Sequence, residues 1–571
     1  MGVSTGERNA GLNWIRSRAV AIAVYFLATI ITDAYFMGDT PGYVYSILTY
    51  EHGGTFGWDN PFWEFGHLFW RPLGYLFFHL FRPITKIFVG EDERLQVTLV
   101  LMWLSWLSGL GCVLLLRSLT AHFITKQWVC NLIVVAFIAA NAFLNYAQTG
   151  CTYAAGMMLF LLGMLLLAQS SDDEAKATKV RLVGAAASLA GAVCIWFPYA
   201  LVIPAALAIP VLIHGKSQHT YRITWQSALA VSFFLALAYG SVLVHLRIFR
   251  LNDFKTWMAA ASHGYNQTGV LRMLFGLARS FINMGQDGIL FKRYLLHDPY
   301  NPVSLNNLFR ASLWKFGFFY LTVAAVLLTA LRTRMGRRTL FLLALAAAPV
   351  FVFALFIFEG GMPERYLPLF PFFFLTLGVT LNEERLRLLK YVTIAFVAVL
   401  VISNVSVMSK WALQREQEAI SRRTAELQPR LTSNSLVVTV HLQDELVDFY
   451  NNFPFHPLNR HGTLQVYSVL VIGTPQVVTW KENFAAKVAQ AWSAGGDVWI
   501  SKRLVQPRPR PEWNWVEGDD RRISWAPLAP FFKQFETGDN VGGDDGFLLI
   551  LRTPANEQNI YRLSSQTTSR N

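Results

Sequence analysis

Apolar stretches about as long as a bilayer is thick recur along this chain, and that recurrence limits most of what it can fold into. A helix needs about 20 apolar residues to cross a hydrocarbon core of about 30 Å. Inside that core the backbone must satisfy its own polar groups, which leaves helices or a closed barrel. Segments near 19–37, 95–116, 127–146, 152–169, 181–196, 198–213, 223–247, 313–331, 339–358, 366–381 and 390–408 fit the helical case. Pro198 separates the two shortest, and counting them apart gives about eleven transmembrane helices. Only 15% of the 571 residues are charged and 53% are hydrophobic, whereas a soluble domain carries about 25% charged residues.

The net charge of +13 is distributed as topology signals and not as a nucleic-acid surface. The gaps Arg117–Lys126, Ser171–Arg181, His214–Arg222, Arg332–Arg338 and Asn382–Lys390 hold nearly all the lysine and arginine between spans. With eleven spans they all fall on the side of Arg8, Arg16 and Arg18, the cytoplasmic side by the positive-inside rule. The first apolar run exceeds the roughly 7–15 residues of a signal-peptide core, so it reads as a retained span. A multi-pass protein of the cytoplasmic (inner) membrane follows, with its C-terminal region extracytoplasmic. Cys112, Cys130, Cys151 and Cys194 lie in or beside apolar runs without metal or redox spacing and read as packing residues.

Three segments then face outward: 38–94, 248–312 and the turn 359–365. The first contains LFWRPLGYLFFHLFRP and the second GVLRMLFGLARSFINMG, with Arg272 and Arg279 on one helical face. Both patterns suit helices lying in the membrane interface. Residues 1–408 thus form a membrane domain, mainly α, and 409–571 a small soluble α/β domain. In the latter, SLVVTVHL, LQVYSVLVIG, GDVWISKRL and GFLLILR read as strands, and QDELVDFYNN and KENFAAKVAQAWSA as helices. VQPRPRPEW reads as an extended surface loop and GDNVGGDDG as a mobile acidic one.

The outward segments hold the candidate chemistry. Asp39 follows Gly38 and precedes Thr-Pro-Gly, turn residues that fix the backbone just beyond the first span. Downstream lie Glu51, Asp59, Glu64, His67 and Arg71, polar groups expected at the headgroup surface, with Arg71 snorkelling from an aromatic helix. GMPERYLPLFPFFF opens a late span with Glu364, Arg365 and Tyr366 beside three prolines. An arginine there can form two parallel charge-assisted bonds to a phosphate. One acid with two arginines on one face fits a reaction that expels a lipid phosphate. His245 and Arg247, ending the seventh span on that side, are further donor-contact candidates. Glu64 and His67 could position an acceptor or a divalent ion, but a lone Glu-x-x-His is no metal signature. Asn266 and Asn404 fit the N-glycosylation pattern, the latter within a span.

Taken together, GDTPGYVYS after the first span, WRPL on an interfacial helix and ERYLPLFPFFF before a late span resemble the GT-C glycosyltransferases. These are polytopic enzymes using polyprenyl-phosphate sugars, and the likeness is to the protein O-mannosyltransferase-like and lipopolysaccharide sugar transferases. It extends over residues 15–408. Met362-Pro363 stands where related mannosyltransferases carry His-Lys, the first loop has one acid where an adjacent pair is expected, and only Trp58-Asp59 approaches a WWD signature. Sugar and acceptor therefore do not carry over. The resemblance implies Asp39 as the base that activates an acceptor hydroxyl, with inversion at the sugar carbon. Arg365 and Arg71 would steady the departing polyprenyl phosphate; Glu364, Tyr366, Glu64, His67, His245 and Arg247 are the remaining substrate contacts. No cofactor is implied beyond the lipid-linked donor, a divalent cation is left open, and the acceptor is a lipid, polysaccharide or protein. A lipid or lipid-sugar transporter or flippase is a weaker alternative, because the spans are almost bare of the ionisable residues that coupled transport uses. A non-catalytic scaffold is the other.

Overall fold

A computed structural model describes residues 5–54, 61–170, 175–261, 268–284, 294, 304–308, 313–383, 387–412, 426–432, 434–439, 465–468, 480–505, 528–543 and 546–568. Asp59, Asn266, the QDELVDFYNN segment and most of VQPRPRPEW lie outside the described residues. The chain divides into two compact units, Met1–Asn283 with Lys315–Lys410 and Met284–Trp314 with Trp411–Asn571.

The first unit is helical. In chain order it contains α1 (Thr5–Ile31), α2 (Thr40–Glu51), α3 (Trp70–Val89), α4 (Glu93–Ala121), α5 (Gln127–Ala139), α6 (Asn141–Tyr146), α7 (Tyr153–Gln169) and α8 (Ala175–Ile195). There follow α9 (Ile203–Leu207), α10 (Ile209–His214), α11 (Gln218–His245), α12 (Leu251–Ala260), α13 (Val270–Phe281), α14 (Trp314–Ala330), α15 (Arg334–Phe356), α16 (Phe370–Asn382) and α17 (Arg387–Leu400). Among the described residues, α4, α11, α15 and the helical run Arg387–Met408 are long and apolar enough to cross a membrane, and five shorter apolar helices accompany them.

The expected span 127–146 breaks at Ala140 into α5 and α6, and three other expected spans are interrupted for a visible reason. The first helix stops at Ile31 instead of running to Met37. There Thr32 bridges Ser409, and the Asp33 amide donates to the Met408 carbonyl at 2.9 Å, so the backbone leaves the helix to meet the far end of the unit. Phe197–His214 is a 3-10 turn followed by α9 and α10, each piece carrying a proline, Pro198, Pro204 or Pro210, in its first turn. There the missing N–H costs nothing, and the ring ends the piece before it. Prolines 363, 368 and 371 likewise make Pro363–Leu369 a 3-10 turn before α16 begins.

The two amphipathic segments form helices. On α3, Leu76, Leu80, Ile84 and Ile87 are exposed, whereas Trp70, Arg71, Gly74, Phe78 and Thr85 are buried, so an apolar stripe is left on the outside. Helix α13 buries Met273, Gly276 and Phe281 while Val270 and Leu271 stay exposed.

The second unit is built on a five-stranded mixed sheet. Its strands are β1 (Leu436–Thr439), β2 (Gln465–Ser468), β3 (Val498–Ser501), β4 (Thr537–Val541) and β5 (Phe547–Ile550), in the order β2-β1-β3-β5-β4. β1 pairs parallel with β2 and β3, while β5 pairs antiparallel with β3 and β4. Alternate residues serve opposite faces. Leu436, Val438 and Ile500 pack with Phe484, Val488 and Phe532, whereas Val437, Trp499 and Phe547 pack with Leu427 and Leu431. With both faces covered, the central strands read as unbroken apolar runs. The acidic glycine-rich segment holds β4, an edge strand, and not only a loop. Its residues are exposed up to Val541, so no apolar alternation marked it, and Gly542 and Gly543 turn it into β5 at positive φ.

Candidate active site

The turn before α2 holds Asp39 through several local restraints. Gly38 sits at φ +58°, and a Cβ there would lie 2.8 Å from the Cys151 sulfur, so backbone and space both call for glycine. Thr40 donates its hydroxyl to the Met37 carbonyl at 2.7 Å and accepts the Gly150 amide at 3.0 Å. Asn145 accepts the amides of Tyr35 and Phe36 at 3.1 and 3.2 Å and donates to the Phe36 carbonyl at 2.9 Å. Asp39 is itself exposed, but its Oδ2 accepts the Tyr153 hydroxyl at 2.9 Å and the Tyr43 hydroxyl at 3.3 Å. Burial, and then the nearby Asp39 charge, push the Tyr43 phenol well above its usual range and the Cys151 thiol up to about 12.

One arm of polar groups runs from Tyr43 into α3. Arg71 pairs with Glu64 at 2.6 Å, His67 Nδ1 meets the other Glu64 oxygen at 3.1 Å, and the guanidinium lies 4.7 Å over the Tyr43 ring. The side chains of Arg71 and Glu64 are each 5% exposed. The headgroup-facing, snorkelling arginine expected from sequence is therefore corrected. Arg71 points inward, because Trp70 and Phe78 on the same face are core residues and Trp70 donates to the Gly150 carbonyl at 3.0 Å. His67 is held in the same ion pair.

The second arm lies in the late turn. Glu364 is buried and its Oε2 accepts the Tyr146 hydroxyl at 2.8 Å. Burial raises its pKa, with Arg365 working against the rise and Glu359 adding to it. Arg365 pairs with Glu359 at 2.7 Å and stacks 4.4 Å over the Phe358 ring, while its Nε is buried without a hydrogen-bond partner among the described residues. Glu359 reaches this pairing from φ +37°, a strained conformation for a side-chain-bearing residue. Tyr366 contacts this turn from behind, donating to the Gly360 carbonyl at 2.5 Å.

Two tyrosines join the arms. The rings of Tyr146 and Tyr153 meet edge to face at 4.6 Å, so one connected path runs from Asp39 through Tyr153, Tyr146 and Glu364 to Arg365. The structure thus brings together Asp39, Arg71, Glu64 and His67 on one side and Glu364 and Arg365 on the other. Tyr366 supports the turn, whereas His245 and Arg247 are exposed at the end of α11, with His245 against Trp63 at 5.6 Å and outside this path. Sequence reasoning missed Tyr146, Tyr153 and Glu359. Its available signal was the uncharged polar cluster NYAQTGCTY between two apolar runs, every residue of which is buried. Asn404, expected as a sequon within a span, is also buried. It donates to the carbonyls of Ala139 and Phe281 at 2.6 and 2.7 Å and accepts the Asn283 amide at 2.6 Å. Among the described residues no group of three or more His, Cys, Asp or Glu is placed to hold a metal ion.

No protein-family profile and no curated protein sequence matches this chain. Solved structures do. ArnT from Cupriavidus metallidurans bound to undecaprenyl phosphate aligns over 94% of this chain and 98% of its own, at 13% identity and a TM-score of 0.51. The same protein in the apo state aligns over 95% and 98%, at 13% identity and a TM-score of 0.50. The Archaeoglobus fulgidus oligosaccharyltransferase in complex with Zn and sulfate covers 86% of this chain and 68% of its own at 11% identity, and its TM-score of 0.40 is too low to carry an argument. Aligned almost end to end with ArnT, at a TM-score of 0.51, the chain has the ArnT fold.

Proposed function

We propose that this protein transfers a sugar from a polyprenyl-phosphate donor to an acceptor hydroxyl at the outer face of the cytoplasmic membrane, by a single displacement with inversion. The observation that carries this reading is the connected path between an exposed Asp39 carboxylate and the Arg365 guanidinium, whose Nε has no partner among the described residues. Support comes from the ArnT neighbour bound to undecaprenyl phosphate. In the proposed step the acceptor oxygen attacks the anomeric carbon and the carbon–oxygen bond to phosphate breaks. Asp39 takes the acceptor proton, and polyprenyl phosphate departs with the negative charge. A positioned base is worth about 10²–10⁴-fold. A charge-stabilising donor is worth about 10²–10³-fold, and Arg365 is assigned that part. The reading uses no metal. It keeps eleven spans, a cytoplasmic N-terminus and an extracytoplasmic domain 409–571.

The test is transfer from a panel of polyprenyl-phosphate monosaccharides to cell-envelope acceptors by protein in lipid nanodiscs, together with equilibrium binding of undecaprenyl phosphate. Asp39→Asn is expected to lose transfer and keep phosphate binding, whereas Arg365→Ala loses both. Equal phosphate binding by wild type and Arg365→Ala would remove Arg365 from the leaving-group site.

A further inference from the structure

Two carboxylates of the candidate site, Glu364 and Asp39, are each held by a phenol from one short, fully buried stretch, Asn145–Tyr153. Tyr146 ends α6 and bonds Glu364; Tyr153 begins α7 and bonds Asp39. The stretch is fixed on every side. Asn145 ties it to Phe36, Gly150 to Thr40, the Gly150 carbonyl to Trp70, the Cys151 carbonyl to Ser105 on α4 at 2.8 Å, and Thr152 to Ile195 on α8 at 2.9 Å. It is a rigid mount, and the two hydroxyls are its only side-chain bonds to carboxylates among the described residues.

The asymmetry at Asp39 is informative. Oδ2 takes both phenol hydrogens, from Tyr153 at 2.9 Å and Tyr43 at 3.3 Å, and no bond to Oδ1 is made among the described residues. A carboxylate so held cannot rotate freely, and one oxygen is presented outward from an otherwise buried wall.

We infer that Tyr153 is a positioning residue, which pins Asp39 by Oδ2 so that Oδ1 is the oxygen offered to the acceptor hydroxyl. This assignment rests on the transferase reading and deepens it. Loose placement of a reacting group by about 1 Å costs on the order of 10²-fold in rate, so the phenol matters although it touches no substrate. The groups facing Asp39 are Tyr43 from α2, Tyr153 from α7 and the Cys151 thiol from the turn before it, with Arg71 and Glu64 behind Tyr43 and Glu364 beyond Tyr146.

The experiment compares Tyr153→Phe, Tyr146→Phe and Tyr43→Phe in nanodiscs by two readouts. The first needs no substrate. The infrared difference between wild type and Asp39→Asn isolates the Asp39 carboxylate stretch. Tyr153→Phe is expected to move that band, Tyr43→Phe to move it less, and Tyr146→Phe to leave it in place. The second is kinetic. Tyr153→Phe lowers kcat by about 10–100-fold, the range of a hydrogen bond to a charged group, and leaves the donor KM unchanged. An unmoved band in a folded Tyr153→Phe protein, or an unchanged kcat with a raised donor KM, overturns the assignment. If wild type transfers no sugar while the band still moves, the transferase reading fails and the pinning of Oδ2 stands. Tyr43→Phe carries the same test should Tyr153→Phe not fold.

Discussion

The two arginine arms are built alike and placed differently. Arg71 and Arg365 each pair with one glutamate, at 2.6 and 2.7 Å, and each stacks over an aromatic ring, Tyr43 and Phe358 respectively. Each also keeps a buried Nε without a partner among the described residues, and Arg71 its Nη1 as well. The difference is in the glutamates and the backbone beneath them. Glu64 is shared with His67 and sits in ordinary extended backbone before a short 3-10 turn, whereas Glu359 reaches Arg365 from a left-handed residue just beyond α15. A relaxed pair suits a clamp that fixes Tyr43 beneath Asp39. A strained pair beside a second buried acid suits a group that exchanges its partner for a ligand.

The largest separation between the arms is expected from alanine. Arg365→Ala should abolish polyprenyl-phosphate binding and lower transfer at least about 100-fold, with the melting temperature near wild type. Arg71→Ala should instead lose about 3–5 kcal/mol of stability, because the buried Glu64 loses its guanidinium partner, and this is read from unfolding of the detergent-solubilised protein. If both variants fail in the same way, the arms are not distinct. Gly38→Ala comes next. It places a side chain at positive φ against Cys151 and should cost at least about 1 kcal/mol, with transfer falling more steeply than stability because Asp39 follows directly. Glu359→Gly and Glu359→Gln sharpen the strained arm. Glycine relieves the backbone but removes the Arg365 partner, whereas glutamine keeps a neutral one; phosphate affinity should therefore rank glycine and glutamine differently from melting temperature.

The smallest effect is the pH dependence at Glu364. Its pKa is raised in the folded protein by burial, so folding binds a proton more tightly than the unfolded chain does. That contribution is complete below the unfolded carboxyl pKa and is lost as pH rises through the folded one. Glu364→Gln retains an acceptor for Tyr146 without this loss. Its melting temperature relative to wild type should climb with pH across that window, and a constant difference would contradict the raised pKa.

Much of the fold was legible because bilayer length and apolar pattern are local properties: α4, α7, α11 and α15 follow from their runs alone. The interruptions at Phe197–His214 and Pro363–Leu369 were marked by prolines. The early end of α1 was not, since its cause is a partner almost 380 residues away, at Met408 and Ser409. Asp39, Glu364 and Arg365 were legible as candidates because charge at a span end is conspicuous. Tyr146 and Tyr153 carry no charge and sit amid apolar runs, and only the tertiary structure shows what their hydroxyls hold. Burial of Glu64 and Arg71 was hidden for the converse reason, since an ion pair can take two charges inward that composition alone would assign to the surface.

The stitch between Thr32–Asp33 and Met408–Ser409 also bears on how the protein is made. The turn that carries Asp39 emerges early from the ribosome, yet its anchoring carbonyl arrives only with the last helix of the unit. A nascent chain halted before that helix would already contain every helix up to α16 and still lack the tether near the acid, so the site is fully assembled only after the last helix of the unit has been made.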